Sequence, residues 1–406
     1  MPDTAPTPSA PSAAPSPDTA RTLPLLLLAA LASMAAQRIC DAMLPELSRE
    51  FGVGLAEAAR TVSVFALAYG LAQLFYGPLG DRFGKLRVLV GAALLCAAGS
   101  LAAVWAGGLD ALLVTRLVVG LGAAGLIPLG LAWVGDHVPY ARRAVALARI
   151  GLGITLGILL GQVAGGLFAD GPGWRWGFAA MALLFAGVGL WLGAEVRRQT
   201  RTGVPTGVVV APAGGLWRLW GEIVTGRWSR VVLAVALVNG FIGFGVPAIW
   251  AAHLHQVQGL SLSVAGAVAA CYGLGGTAYM LLAGPLSARL GETGLAWTGG
   301  TLVTVGYALI GLLPGTVVSP VAATLAGFGF FMFHNTLQLN ATQMTPHARG
   351  TAVSLFACAL FVGNAAGAAS AAALTPVLGS GAVLAGAGAV FGALGAFFGW
   401  AVRAVR

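Results

Sequence analysis

Apolar residues fall along this chain in long unbroken runs, and the polar residues are gathered between them. The runs over 23–44, 58–79, 88–106, 111–134, 144–169 and 174–193 are each near the ~20 residues a helix needs to cross a ~30 Å hydrocarbon core. After a polar stretch, six more follow over 231–252, 263–286, 295–313, 317–342, 351–374 and 381–402. The pattern predicts an all-α membrane protein of twelve transmembrane helices: a six-helix bundle over 23–193, a linker over 194–229 and a second bundle over 230–402. Residues 1–22 carry almost no large apolar side chain, which predicts a disordered tail, and 403–406 form a second short tail. The first run lacks the short apolar core and small-residue cleavage site of a secretory signal, so it stays as the first helix. In the linker, Leu216, Trp217, Trp220, Ile223 and Val224 recur at helical spacing while Arg218, Glu222 and Arg227 fall elsewhere. That predicts a short helix lying on the inner membrane surface.

Composition agrees. Of 406 residues, 58% are hydrophobic and 9% charged, with a mean hydropathy of +0.87; this is the balance of a polytopic membrane protein. The net charge of +9 comes from single cations on loops, not from one basic soluble face, so no nucleic-acid partner is expected. Seventeen of the twenty-two Lys and Arg fall on one side of the twelve-helix topology; Arg49, Arg60 and Arg175 lie on the other, and Arg38 and Arg116 sit inside spans. Basic residues in short loops are held inside, which places both termini in the cytoplasm and the chain in the inner membrane. Cys40, Cys96, Cys271 and Cys358 all fall in spans without a disulfide or ligand spacing, and are read as packing residues. His253 and His255, at the outer end of a span, are read as interfacial polar residues. No metal, cofactor or enzymatic site is expected.

The stretch from Gly77 to Arg87, Gly-Pro-Leu-Gly-Asp-Arg-Phe-Gly-Lys-Leu-Arg, joins the second and third spans. Its spacing of Gly77, Asp81, Arg82, Gly84 and Lys85 resembles the signature loop of the major facilitator superfamily of secondary transporters, with Leu86 where that family carries another cation. The resemblance covers residues 23 to 402 and implies two pseudo-symmetric bundles working by alternating access. It further implies that Asp81 faces the start of the eleventh helix, whose N–H groups favour a negative charge. The chain carries an internal repeat of its own: Gly284 to Gly291 echoes Gly77 to Gly84, and Pro346 to Arg349 echoes Pro139 to Arg142, both at 207 positions. Arg142 and Arg349 therefore join the expected inner gate, while Ala288 stands where the first half has Asp81. The alternative is that Asp81 only caps its own loop.

Inside the spans, Gly153, Gly157, Gly161 and Gly165 recur every four residues, a strip on which backbones approach closely. The run from Gly157 to Gly166 also resembles the antiporter signature of drug exporters, with Gln162 in place of its proline. Arg116, followed by Gly120 and Gly122, resembles the fourth-helix motif of proton-coupled exporters, with Val119 in place of its glutamine. Helical rise puts Arg38 ~22 Å from the inner surface and Arg116 ~8 Å from the outer, the same depth in a ~30 Å core. Asp41 shares a helix face with Arg38. Intramembrane charges cost at least ~2.5 kcal/mol each, so Asp41, Arg38 and Arg116 are expected to be paired and to face a cavity. They serve proton coupling, or else only clamp the first and fourth helices.

His334, Gln338 and Thr342 are spaced by four on the tenth span, with Asn335 beside them. The resemblance implies that spans one, four, seven and ten line the cavity, which places Asn239 there with Phe241, Phe244 and Trp250 as apolar walls. Interhelical hydrogen bonding alone is the other reading of the tenth-span polar face. The expected function is proton-coupled efflux of small, largely apolar molecules by a monomer in the lipid bilayer, resembling the drug and arabinose efflux branch. A uniporter or proton symporter importing a small anionic metabolite, and a non-transporting membrane sensor, are the alternatives.

Overall fold

The computed structural model describes residues 17–201, 216–313, 315–345 and 349–405. Twelve crossings are labelled in chain order: α1 (Pro17–Phe51), α2 (Arg60–Phe83), α3 (Lys85–Val104), α4 (Leu109–His137), α5 (Tyr140–Asp170) and α6 (Trp174–Arg201) in the first half. In the second half, α7 is Arg227–Gln258, α8 and α9 are the two arms of Leu262–Leu312, and α10 (Val318–Ala341), α11 (Arg349–Leu378) and α12 (Ser380–Val405) follow. Among the described residues, ten helices are long and apolar enough to cross a membrane. Twelve is reached because Leu262–Leu312 folds back at Gly291, and because α10, diluted by His334, Asn335, Gln338 and Asn340, is a crossing too. Gly291 has φ 61° and its counterpart Gly84, at the end of α2, has φ 88°; both repeated loops turn on a backbone conformation that a side chain would strain.

The helices begin and end beyond the apolar runs. Pro17 to Thr22, expected in the tail, form the first turns of α1, and α6 runs on to Arg201 inside the expected linker. The amphipathic helix Leu216–Thr225 is present, with Trp220 meeting Phe75 of α2 edge-on at 6.2 Å. Pro314 and residues 346–348, half of the second repeated loop, lie outside the described residues. His253 corrects the interfacial reading: it is 2% exposed, its Nε2 donates to the Ile310 carbonyl at 3.0 Å and its Nδ1 accepts from Ser380 Oγ at 2.8 Å. The imidazole thus ties α7 to α9 and α12, because this turn of α7 faces its own bundle. His255, two residues on, is exposed.

The glycine strip of α5 lies against α1, where a Cβ on Gly153, Gly157, Gly161 or Gly165 would collide with the carbonyl oxygens of Leu27, Leu31, Ala35 and Ile39. The second half repeats the device, with Gly363 and Gly367 of α11 against the carbonyls of Leu237 and Phe241 on α7. Among lipid tails, such close backbone contact replaces the hydrophobic drive that is missing there.

The halves meet where α5 runs beside α8 and α2 beside α11. Gly166 abuts Leu262 and Ser263, Gly266 abuts Gln162, and Gly70 abuts Phe361. Toward the charged loop the seam parts, and positions 77 and 151 have nothing within 4 Å of an added Cβ. Among the described residues, the seam is packed at the Asp170 end and looser at the Asp81 end.

Candidate functional site

The site is organised by a break in α7. The sequence Phe-Ile-Gly-Phe-Gly-Val-Pro cannot continue as a regular helix, since Pro247 has no N–H to give to the Gly243 carbonyl. The backbone passes instead through a π turn, Phe241–Gly245, and a 3-10 turn, Val246–Ile249. Freed carbonyls need donors where no water substitutes. Three consecutive ones find side chains: Ile242 accepts from Tyr307 Oη at 2.7 Å, Gly243 from Tyr272 Oη at 2.7 Å, and Phe244 from Arg38 Nη1 at 3.0 Å. The third bond crosses from the first half to the second.

Arg38 also holds Asp41. Its Nη1 lies 3.1 Å from Asp41 Oδ2, the oxygen that also accepts from Gln162 Nε2 at 3.0 Å. Gln162, where the resembling signature has proline, therefore links the α5 strip to the carboxylate. Arg116 is brought near without bonding Asp41. Its Nη1 donates to the Ala36 carbonyl at 2.8 Å, its Nε donates to the Thr61 carbonyl at 3.1 Å, and its guanidinium lies 4.2 Å from the Phe65 ring centroid. Asp41, Arg38 and Arg116 are at most 2% exposed. Two cations thus face one carboxylate, and Asp41 Oδ1, Arg38 Nε and Nη2, Arg116 Nη2 and Gln162 Oε1 have no hydrogen-bond partner among the described residues. Buried polar atoms are rarely left so.

Across the seam the groups are neutral. Asn239 Nδ2 lies 3.0 Å from His334 Nδ1, so with the amide donating, that ring nitrogen is the acceptor. His334 stacks on Phe330 at 5.4 Å and meets Phe244 edge-on at 6.1 Å. Phe244 therefore touches both clusters, its ring 5.0 Å from the Arg38 guanidinium. Phe241 is half-buried and Gln338 exposed one turn beyond His334. Asn335 turns away toward α8, 3.4 Å from Tyr279 Oη, and borders a cavity of about 130 Å³ with Ser287, Glu292 and Thr336. The Thr342 hydroxyl donates back to the Leu339 carbonyl, three residues before it in sequence. Trp250 is buried between Tyr272 and Tyr307 and belongs to the core, which corrects its reading as a cavity wall.

At the open end, Asp81 pairs with Lys85 at 3.0 Å, and Lys85 with Asp136 at the end of α4 at 2.7 Å. Arg82 lies over Phe83, and Gly77 is exposed. Arg349, the first residue of α11, is exposed, and Arg142 is half-buried. Among the described residues, Asp81 has Lys85 as its one ion-pair partner and no bond to α11. At the closed end, Asp170 of α5 caps the start of α8: Leu262 N donates to Oδ1 at 3.1 Å, and Ser263 N and Oγ donate to Oδ2 at 2.6 and 2.7 Å.

Sequence reasoning missed Tyr272, Tyr307, Asp136 and the capping role of Asp170. The glycine–proline run in α7 was the available signal for a helix break. The Ser-Leu-Ser opening of α8 marked a helix start. Neither signal names its partner.

A sequence profile of the Major Facilitator Superfamily matches residues 26–368. The chain belongs to that family and, by its long apolar helices, is a multi-pass membrane protein. It is 28% identical to a protein of Streptomyces coelicolor named as a probable transporter, over 95% of this chain and 87% of that one. Matches to the MFS transporter cpaT of Aspergillus oryzae (32% identical, 31% of this chain) and the inner membrane transport protein YnfM of Escherichia coli (28% identical, 38% of this chain) span only 26% and 37% of those proteins. In fold, it resembles the crystal structure of a bacterial homolog of the human lysosomal transporter Spinster in its inward-facing, unoccupied conformation. That likeness has a TM-score of 0.76 at 18% identity, over 95% of this chain and 97% of the other.

Proposed function

We propose that the chain is a proton-coupled antiporter exporting small, largely apolar molecules across the inner membrane, with Asp41 as the proton carrier. The observation that carries this reading is the shared bond of Arg38, whose Nη1 holds both Asp41 of its own helix and the Phe244 carbonyl of the opposite half. A proton on Asp41 leaves Arg38 an uncompensated cation in an apolar interior, where an unpaired charge is costly. Its nearest relief is the open end of the seam, so its hold on Phe244 is released and the closed end is free to part. Substrate sits against Phe241 and Phe244, with Asn239, His334 and Gln338 supplying polar contacts; Asn335, turned toward α8, drops out of that set. Asp81, with Arg82, Lys85, Arg142 and Arg349 around it, closes the inner side when Asp81 reaches the start of α11. Cytoplasmic termini place that gate inside.

The test is transport by reconstituted protein under an imposed pH gradient, with a panel of small apolar fluorescent dyes. Asp41→Asn is expected to lose gradient-driven accumulation and keep downhill exchange; accumulation that persists in the variant overturns the reading. A second reading, import of a small anionic metabolite, is favoured by the unpaired donors Arg38 Nε and Nη2 and Arg116 Nη2. It requires saturable carboxylate uptake that is lost in Arg116→Ala.

A further inference from the structure

Away from the seam, α2 and α3 diverge below the charged loop and leave a groove of about 500 Å³, lined by Tyr76, Leu79 and Phe83 on one side and Arg87, Gly91 and Leu95 on the other. Its floor is fixed, since Tyr76 Oη donates to the Leu121 carbonyl of α4 at 2.8 Å and has spent its proton there. Leu79, Phe83 and Leu95 are exposed large apolar side chains, so the groove opens toward hydrocarbon and not toward the seam. Gly91 forms a notch in its wall, with nothing within 4 Å of an added Cβ. Arg87 to Leu95 is eight residues, a length of ~12 Å along the helix, close to the ~15 Å depth of one leaflet.

The rim is cationic and uncommitted. Lys85 is taken by Asp81 and Asp136, whereas Arg82 and Arg87 are exposed and have no ion-pair partner among the described residues. The duplicated half keeps Arg289 for Arg82 but changes three other positions. At the 207-residue offset, Gly294 stands for Arg87, Thr298 for Gly91 and Ala283 for Tyr76. An apolar slot one leaflet deep beneath free guanidinium groups has the complementarity of an anionic lipid.

We propose that the α2–α3 groove is a binding site for an anionic phospholipid, with its phosphate at Arg87 and Arg82 and one acyl chain along the Gly91 notch. The inference is independent of the substrate and coupling reading. The experiment is thermal unfolding of the detergent-purified full chain, titrated with phosphatidylglycerol or with phosphatidylcholine of the same acyl chains, since a ligand of the folded state raises its stability by mass action. The parent is expected to gain more from phosphatidylglycerol. Arg87→Gln is expected to weaken that lipid roughly fivefold, the loss of one cation's attraction. Gly91→Leu, whose Cβ meets no neighbour and whose longer side chain fills the notch, is expected to abolish the difference between the lipids while melting like the parent in detergent alone. Lipid retained by each variant in native mass spectrometry gives the same comparison without relying on unfolding. Equal gains from both lipids in the parent, an unchanged preference in both variants, or the same shift from inorganic phosphate overturns the proposal.

Discussion

The two halves of this chain share a repeat, a positive-φ turn and a glycine-lined helix pair, yet they differ in what they hold at the centre of the membrane. The first half buries Arg38, Asp41 and Arg116; at the 207-residue offset the second has Gly245, Ala248 and Ala323. In their place the second half offers an aromatic cage, Phe244, Phe330 and Phe356 around the neutral pair Asn239 and His334. Among the described residues, buried ion pairing at mid-membrane is thus gathered in one bundle, while apolar surface and neutral hydrogen bonding are gathered in the other. Phe244 belongs to both, by its carbonyl and by its ring. On the proposed reading, the difference separates coupling from recognition: an ion pair is costly to maintain in hydrocarbon, so one suffices, and its partner bundle is free to vary its walls.

That division can be broken experimentally. Its largest expected effect is Asp41→Asn, complete loss of gradient-driven accumulation with dye binding kept; if accumulation continues, the charged half is only a clamp. His334→Ala and Gln338→Ala are expected to shift preference among substrates by about tenfold while membrane levels hold, because a site that loses one hydrogen-bonding group discriminates differently. Parallel loss of expression and activity in both would make the α10 face structural. At the closed end, Asp170→Ala removes charge-assisted bonds worth about 1.5 kcal/mol, so cysteines placed at the α5–α8 seam should label roughly tenfold more readily. Unchanged labelling would show that the cap does not hold the halves together.

Smaller effects sharpen the picture. Tyr272→Phe leaves the Gly243 carbonyl unsatisfied and is expected to cost about 1 kcal/mol in unfolding measurements; no loss would mean that the π turn rearranges to satisfy itself. Asp81→Asn should leave expression intact and change the inner-to-outer accessibility ratio only about twofold to fivefold, the range of a charge at a helix N-terminus. An identical ratio would reduce Asp81 to a cap of its own loop.

The sequence by itself determined the twelve crossings, the turns at Gly84 and Gly291, the repeat and the glycine strip, because each depends on a run of neighbours or on a spacing within one helix. It also singled out Arg38, Asp41 and Arg116, since charges inside apolar runs are conspicuous. Tertiary structure decided who meets whom. That Arg116 bonds the Ala36 and Thr61 carbonyls and not Asp41, that Gln162 reaches Asp41, and that Asn335 turns from His334 toward Tyr279 all depend on helix rotations that no single helix encodes. The break in α7 was legible as glycine and proline, but its donors come from Tyr272, Tyr307 and Arg38, 29, 65 and 206 residues away. Which end of the seam is closed is likewise a property of the assembled halves: packing in the hydrocarbon depends on complementary surfaces brought together by the fold, and hydropathy along the chain is blind to them.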